Sequence, residues 1–287
     1  MLRSMYAGIS GMKNFQTKLD VIGNNIANVN TVGFKKGRVT FQDMMSQTVN
    51  GAQGPTTSRG GVNPNQVGLG SQLGTIDNIH TQGFRQVTNN PLDFSIQGDG
   101  MFALVEADMS AIRQQLANPD NTDDLLTVNV DPDAEYFYTR AGNFYLDQDG
   151  YVVNADGLYL VAFEGADRTE PVLFRIPEDA QSFNVQRDGT VTIVRNGQPE
   201  DVATVGIANF SNPSGLLKDG SNLYLASESS GDREWMPADG PSQIIANSLE
   251  MSNVDLAEEF TEMITAQRGF QANTRIITTS DEILQEL

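Results

Sequence analysis

Residues 1–40, MLRSMYAGISGMKNFQTKLDVIGNNIANVNTVGFKKGRVT, decide how this chain is organised. Apolar residues recur in this stretch at spacings of three, four and seven: Met5, Ile9, Met12, Leu19, Ile22 and Ile26. This spacing predicts a helix with a narrow apolar stripe of the coiled-coil kind, too narrow for the core side of a globular helix. No earlier segment of the sequence could cover the stripe. We therefore expect it to pack on a later segment or on another molecule.

The other end of the sequence carries a second stripe of the same kind. Its main apolar positions are Leu256, Phe260, Met263, Phe270, Ile277 and Leu284. Asp255, with Glu258 three residues later, resembles a capping box and predicts a helix start. A helix over residues 256–287 would be about 48 Å long. We predict that the N- and C-terminal helices pair as a coiled coil, either antiparallel or side by side.

The charges of the two ends favour this pairing. Residues 1–40 hold six basic residues and one acidic residue, whereas residues 248–287 hold two basic and eight acidic residues. Their net charges are therefore +5 and −6. Exposed ion pairs contribute only about 0.2–1 kcal/mol each, so we expect them to select the partner more than to hold it.

Composition excludes several classes of function. The 287 residues include no cysteine and carry a net charge of −19. Disulfides, thiolate nucleophiles and cysteine-ligated zinc are therefore excluded, and nucleic acid and anionic membranes are poor partners. No apolar run approaches 18 residues and no secretory signal is present, so we expect no membrane insertion. The chain is then cytosolic, or is exported by a route that leaves its N-terminus uncleaved.

The middle of the chain predicts an extended arm followed by a β domain. Residues 41–75 are assigned to the arm, either a floppy linker or an ordered arm that pairs with neighbouring molecules; within it, 41–48 favour a short helix or a helix-to-strand transition. Residues 76–249 alternate short apolar runs with Asp-Gly and Asn-Gly turns, which predicts an all-β domain, a sandwich or a barrel-like fold. The clearest hairpin is 183–193. Residues 1–40 and 250–287 form the predicted helical domain.

One segment interrupts the β pattern. Residues 107–135 contain a short predicted helix, Ser110 to Ala117, which stops before Pro119. The remainder reads as acidic loop. We interpret the segment as an insertion on the outer surface of the β domain.

Motifs that carry chemistry are not found. His80 is the single histidine, so we expect a packing or surface role for it. Asp147 opens a stretch that is similar to a calcium loop, but the twelfth position is Leu158, where a glutamate is required. We therefore predict no enzyme activity and no catalytic, cofactor-binding or metal-binding residues.

Three stretches of the sequence resemble the bacterial flagellar rod and hook protein family. Residues 19–35 carry that family's N-terminal signature: Asn24, Asn25, Ala27, Asn28, Thr31, Gly33 and Phe34. Residues 252–273 resemble its C-terminal helix, and 96–102 with 138–144 resemble its β domain. The resemblance implies a hook/rod type of fold, mainly β with terminal α-helices. On residues 5–12 and 39–47 the chain is most similar to the short hook proteins of Bacillus-like Gram-positive bacteria.

The resemblance implies a structural subunit of the flagellar hook, a flexible helical tube that acts as a universal joint and transmits motor torque to the filament. The alternative within the family is a subunit of the distal rod, the rigid drive shaft of the basal body. A third alternative is a secreted β-domain protein, such as an adhesin or a phage-tail-like component.

Partners and location follow from the same resemblance. The chain would form a homopolymer and would meet rod proteins, the hook cap and hook–filament junction proteins. It would pass through the flagellar type III export apparatus and reach the extracellular part of the flagellum without a cleaved signal peptide. The 107–135 segment departs from the simplest family members.

Overall fold

The computed structural model describes residues 2–55, 59–107, 127–130, 134–164, 171–177, 180–195, 197–236 and 242–286. The chain divides into two compact units. The helical unit comprises residues 1–29, 36–79 and 254–287, and the β unit comprises 30–35 and 80–253. The boundaries of these units differ from the predicted domain boundaries. Residues 30–35 lie in the β unit, and residues 36–79 lie in the helical unit.

The described residues of the helical unit form two long helices and four strands. They are α1 (Leu2–Ala27), β1 (Gly37–Asp43), β2 (Ser46–Asn50), β3 (Asn65–Gly68), β4 (Ser71–Asn78) and α2 (Leu256–Gln285). The predicted pairing of the terminal helices is confirmed. Gly8 in α1 lies against Ile277 in α2, and Asn25 binds Glu259, so the two helices are antiparallel.

Local chemistry explains where the helices begin and end. Asp255 caps α2, because its side chain accepts a hydrogen bond of 2.8 Å from the Ala257 amide. Glu258 and Glu259 in the first turn suit the positive end of the helix dipole. At the end of α1, the Asn28 side-chain amide donates to the backbone and side-chain oxygens of Asn24. The Asn24 carbonyl therefore accepts from both the backbone amide and the side-chain amide of Asn28.

Residues 41–75 are mostly paired strand. Strand β1 pairs with β4, and β2 pairs with β3, in both cases antiparallel. The short helix that was one alternative for 41–48 is therefore wrong. Every residue of β2 and β3 is exposed, on both faces of this strand pair. The pair therefore has no core of its own.

The β unit is built from eighteen described strands. They are β5 (Arg85–Val87), β6 (Phe94–Gln97), β7 (Met101–Val105), β8 (Thr127–Asn129), β9 (Tyr136–Thr139), β10 (Tyr145–Leu146), β11 (Val152–Val153), β12 (Tyr159–Phe163), β13 (Pro171–Phe174), β14 (Ser182–Val185), β15 (Thr190–Arg195), β16 (Gln198–Val205), β17 (Ile207–Phe210), β18 (Leu217–Gly220), β19 (Leu223–Leu225), β20 (Arg233–Met236), β21 (Gln243–Ala246) and β22 (Ser248–Glu250). One 3-10 turn, Pro213–Gly215, precedes β18.

Fourteen of these strands form one branched antiparallel sheet. Its main path is β14-β15-β16-β12-β7-β9-β19-β18, and β6 and β5 pair separately with β21 and β22. The predicted hairpin at 183–193 is confirmed, with Val185 opposite Val191 across the turn.

Strand β7 lies at the centre of the core. Its five residues, Met-Phe-Ala-Leu-Val, are all buried, because side chains on both of its faces are covered. Phe102 and Leu104 join one apolar cluster, and Met101, Ala103 and Val105 join the other. A continuous apolar run instead of an alternating one is what burial of both faces requires.

The predicted surface insertion lies partly outside the described residues. This holds for the short helix at Ser110 to Ala117 and for residues 131–133. Thr127–Asn129, expected to be loop, is strand β8 and pairs with β13. The expectation of loop is wrong there because Val128 has an apolar cluster to enter, where it is buried.

Candidate assembly surfaces

Glycines of both helices face larger side chains at the contact between α1 and α2. A Cβ on Gly269 would lie 2.6 Å from Cζ of Phe15, and one on Gly11 would lie 2.9 Å from Nδ2 of Asn273. The Phe15 ring also stands edge-on to Phe41, with the ring centroids 6.2 Å apart. The two helices therefore approach closely where glycine faces a larger residue.

The predicted stripe of α2 runs beside this contact and does not form it throughout. The buried residues of α2 are Glu259, Ala266 and Ser280. Residues seven apart drift by about 20° per heptad on a straight helix. The heptad that begins at Leu256 is therefore exposed at its start and reaches the contact near Ile277, which lies against Gly8.

The predicted assembly residues differ in exposure. In α1, Ile22 is buried, and the half-buried residues are Met5, Ile9, Met12, Leu19 and Ile26. In α2, Met263, Phe270 and Ile277 are half-buried, whereas Leu256, Phe260 and Leu284 are exposed. The three exposed residues therefore lie outside the contact between α1 and α2 of one chain.

The C-terminal end of α1 is tied to its surroundings by a buried asparagine. The Asn25 side chain donates to the Gly37 carbonyl and to Glu259 Oε2, and its Oδ1 accepts from the Gly37 amide. Every polar atom of this side chain is therefore hydrogen-bonded. Lys36 adds an ion pair of 2.8 Å to Glu258, and Lys18 adds one of 3.0 Å to Glu262. These contacts match the opposite charges that the sequence places on the two ends.

A further set of apolar side chains in the helical unit is exposed. It comprises Tyr6, Phe41, Met44, Met45, Val49, Val62, Val67, Leu69, Leu73, Ile76, Leu256, Phe260, Ile264, Ile276, Ile283 and Leu284. Scattered exposed apolar residues are ordinary, but groups of them on neighbouring elements mark interaction surfaces. Such groups occur on α2 and on the strands at 41–76.

The remaining signature residues divide between the two units. Asn24 and Ala27 are exposed on α1 and Asn28 is half-buried, whereas Thr31, Gly33 and Phe34 belong to the β unit. Gly33 has φ +69°, and a Cβ there would lie 2.5 Å from the Ala141 amide nitrogen. Only glycine fits this position, both because of its left-handed backbone and because of the space.

Lys35, next to the signature, enters a buried ion cluster. Its Nζ lies 2.7 Å from Glu250 Oε1, and Arg140 Nε lies 2.7 Å from Glu250 Oε2. The Gly83 amide also donates to Glu250, and Arg140 donates to the carbonyls of Gly98 and Gly100. Burial raises the pKa of Glu250, but the charges of Arg140 and Lys35 outweigh this effect and hold the pKa below its ordinary value. The cluster fastens segment 30–35 within the β unit.

His80 lies beside this cluster and packs on the ring of Tyr224 at 5.9 Å between centroids. Both ring nitrogens are buried without a hydrogen-bond partner. Burial, followed by the charges of Lys35, Lys218 and Arg140, lowers the pKa of His80 to about 4. The imidazole is therefore neutral at pH 7, and it has a packing contact of the kind that the sequence predicts.

Neither a grouped metal site nor a membrane-crossing helix is found in the described part of the chain. Within it, no three His, Cys, Asp or Glu side chains are grouped so that they could hold a metal ion. None of the described helices is both long and apolar enough to cross a membrane. The arrangement can bind other protein surfaces through its apolar groups, and we see no chemistry in it beyond that.

Sequence reasoning missed the small residues at the helix contact and the buried ion cluster. Glycines at 8, 11 and 269 carry a signal, since glycine in a helix interior costs about 1 kcal/mol relative to alanine and therefore needs a packing reason. The pairing of Lys35 with Glu250 has no such signal, because the two residues are 215 positions apart.

A packed β unit and a helix pair that presents apolar side chains are typical of a structural protein. Three family profiles match the chain. They are the flagella basal body rod protein over residues 5–35, the flagellar hook protein FlgE/F/G D1 domain over 123–193, and the flagellar basal body rod FlgEFG protein C-terminal region over 245–287.

Individual relatives agree with the profiles. The flagellar basal-body rod protein FlgG of Bacillus subtilis is 51% identical over 100% of this chain and 98% of its own length. The protein of the same name from Caulobacter vibrioides is 34% identical over 99% of this chain and 97% of its own. The flagellar hook protein FlgE of Borreliella burgdorferi is 29% identical over 100% and 99%. The chain belongs to the flagellar rod and hook protein family.

Proposed function

We propose that this protein is a subunit of the flagellar rod. That it is a structural component of the flagellum follows from the family; the choice of the rod goes further. It is supported by the match to a rod protein at 51% identity, which runs end to end in 291 aligned positions. Alignments with two hook proteins extend to 463 and 455 positions at 29% identity. Those hook proteins therefore contain long segments that this chain lacks.

The hook, which the sequence alone favoured, is the less supported alternative. The hook prediction rested on residues 5–12 and 39–47, whereas two rod relatives match this chain over 98% and 97% of their own lengths. In this proposal the chain therefore forms part of a rigid shaft instead of a flexible universal joint. Its partners would be further copies of the chain and the adjoining rod and hook proteins, reached after export through the type III apparatus.

Complementation separates the two functions. A strain that lacks its distal rod protein and a strain that lacks its hook protein would each receive this gene. Recovery of motility in the first strain alone is expected. Recovery in the hook-deficient strain alone would overturn the rod proposal and leave the hook in its place.

We further propose that the helical unit provides the assembly contacts. Phe260 is 49% exposed on α2 and belongs to the predicted stripe. The variant Phe260→Asp is expected to keep the thermal transition of the β unit and to lose assembly into the rod, measured by electron microscopy of isolated basal bodies. Thr261→Asp, at an exposed polar neighbour, is the matched control. Normal rods with Phe260→Asp would contradict the assignment.

A further inference from the structure

A groove runs between α1 and the strands of the helical unit. Its volume is about 550 Å³, and its apolar lining consists mainly of Tyr6, Ile9, Met44, Leu69 and Leu73. Lys13 also lines it and is the one charged side chain among the described lining residues. We refer to it below as the α1 groove.

The α1 groove is uncovered within the unit. Tyr6 is 64% exposed, and Met44, Leu69 and Leu73 are also classed as exposed. Among the side chains that the structure describes, Lys13 takes part in no ion pair. An apolar surface of this kind around an unpaired cation suits a partner with apolar side chains and a carboxylate.

The last turns of α2 have this composition. Ile283 and Leu284 are exposed apolar residues, and they stand among Asp281, Glu282 and Glu286, all exposed. None of these three acids forms an ion pair with a described side chain. Ile283 and Glu286 are three residues apart and therefore lie on the same side of the helix. We refer to residues 281–286 as the acidic end.

We propose that the acidic end of one copy binds in the α1 groove of a second copy, with Ile283 among the apolar side chains and Glu286 paired with Lys13. The inference rests on the proposed function, since it names the contact by which copies join. The groove and the acidic end are different surfaces of the same chain. Their contact is therefore heterologous and, unless it closes into a ring, generates an open helical polymer.

The other exposed row on α2 fits the groove less well. Leu256, Phe260 and Ile264 are four residues apart and form one apolar ridge. The acids of that part of the helix are already engaged, because Glu258 pairs with Lys36 and Glu262 pairs with Lys18. The ridge therefore offers Lys13 no free carboxylate, whereas the acidic end offers three.

Disulfide cross-linking tests the contact directly, because the chain contains no cysteine. The variant Leu73→Cys would be mixed with Ile283→Cys, and separately with Ile264→Cys, which is a comparably exposed isoleucine of the same helix. Under mild oxidation at assembling concentrations, the first mixture is expected to give disulfide-linked dimers at least tenfold faster than the second. Equal rates, or faster linkage through Ile264→Cys, would overturn the proposal.

Charge reversal provides an independent measurement. Lys13→Glu and Glu286→Lys are each expected to weaken self-association at least tenfold in sedimentation velocity, and the double variant is expected to restore it. Failure of the double variant to recover would contradict the pairing. If wild type restores motility to the rod-deficient strain while both experiments fail, the rod function stands and only this contact is excluded.

Discussion

The two units of the molecule bury different kinds of side chain. The β unit encloses two large apolar clusters. In one of them Phe94, Phe102 and Phe144 are in ring contact. In the helical unit the two helices meet through glycines, while Phe260 and Ile264 are exposed. The β unit thus places most of its large apolar residues inside, although Phe84 is 84% exposed, and the helical unit leaves many of its own at the surface.

The difference concerns where the stability of the chain is built, and it is the ground on which the helical unit is proposed to serve assembly. Burial of a large apolar side chain contributes about 1.5–3 kcal/mol, so the β unit has the means to fold on its own contacts. The exposed apolar residues of the helical unit remain available for contacts with other copies.

The largest effect is expected from the buried ion cluster of the β unit. Glu250→Ala leaves the charges of Lys35 and Arg140 buried without their carboxylate, which should cost about 3–5 kcal/mol of unfolding free energy. Urea unfolding monitored by the fluorescence of Trp235, the single tryptophan and a residue of the β unit, measures this cost.

The matched control is an exposed ion pair of the helical unit. Glu258→Ala removes the nearer of the two carboxylate partners of Lys36, and the Glu258 side chain is 54% exposed. A loss below about 1 kcal/mol in urea unfolding followed by circular dichroism at 222 nm is expected, because water screens such a pair. If both variants lost the same stability, the contrast between the two units would be wrong.

A smaller effect is expected at the helix contact. In Gly269→Ala the new methyl group would meet the Phe15 ring at 2.6 Å, and overpacking of this kind costs about 1–3 kcal/mol. Helical circular dichroism at 222 nm should melt earlier, with the Trp235 transition unchanged. Gly23→Ala is the control, since nothing lies within 4 Å of that position, and it should stabilise α1. A Trp235 transition that shifts with Gly269→Ala would contradict the division into separately packed units.

The smallest effect is expected from acid. The pKa of His80 is about 4 in the folded chain, against 6.5 as its ordinary value. Its contribution to stability is therefore complete above pH 6.5 and is lost as the pH falls towards 4, by roughly 1 kcal/mol at pH 5.5. The lowered pKa of Glu250 acts in the same direction at lower pH.

The single histidine makes this titration simple to follow. One imidazole signal in the proton NMR spectrum should titrate well below pH 6, and His80→Gln should flatten the loss of stability between pH 6.5 and 5. An ordinary titration near 6.5 would show that His80 is not buried as described.

Much of the fold could be predicted because its signals are local. The spacing of Met5, Met12 and Leu19 predicted α1, Asp255 predicted the start of α2, and the Asp188-Gly189 turn predicted the hairpin of β14 and β15. The helix contact could not be predicted in detail, because an apolar heptad drifts around a straight helix. Glycines at positions 8, 11 and 269 decide which side of each helix approaches the other.

The sequence alone determined the family, the terminal helices, their opposite charges and the all-β middle, since each depends on residue type and spacing along the chain. The tertiary structure decided that the helices pack antiparallel on small residues, that segment 30–35 belongs to the β unit, and that Lys35, Arg140 and Glu250 meet in its interior. Those outcomes depend on distances between residues far apart in sequence. The tertiary structure also divides the first forty residues, because α1 belongs to the helical unit whereas Gly33 to Lys35 belong to the β unit.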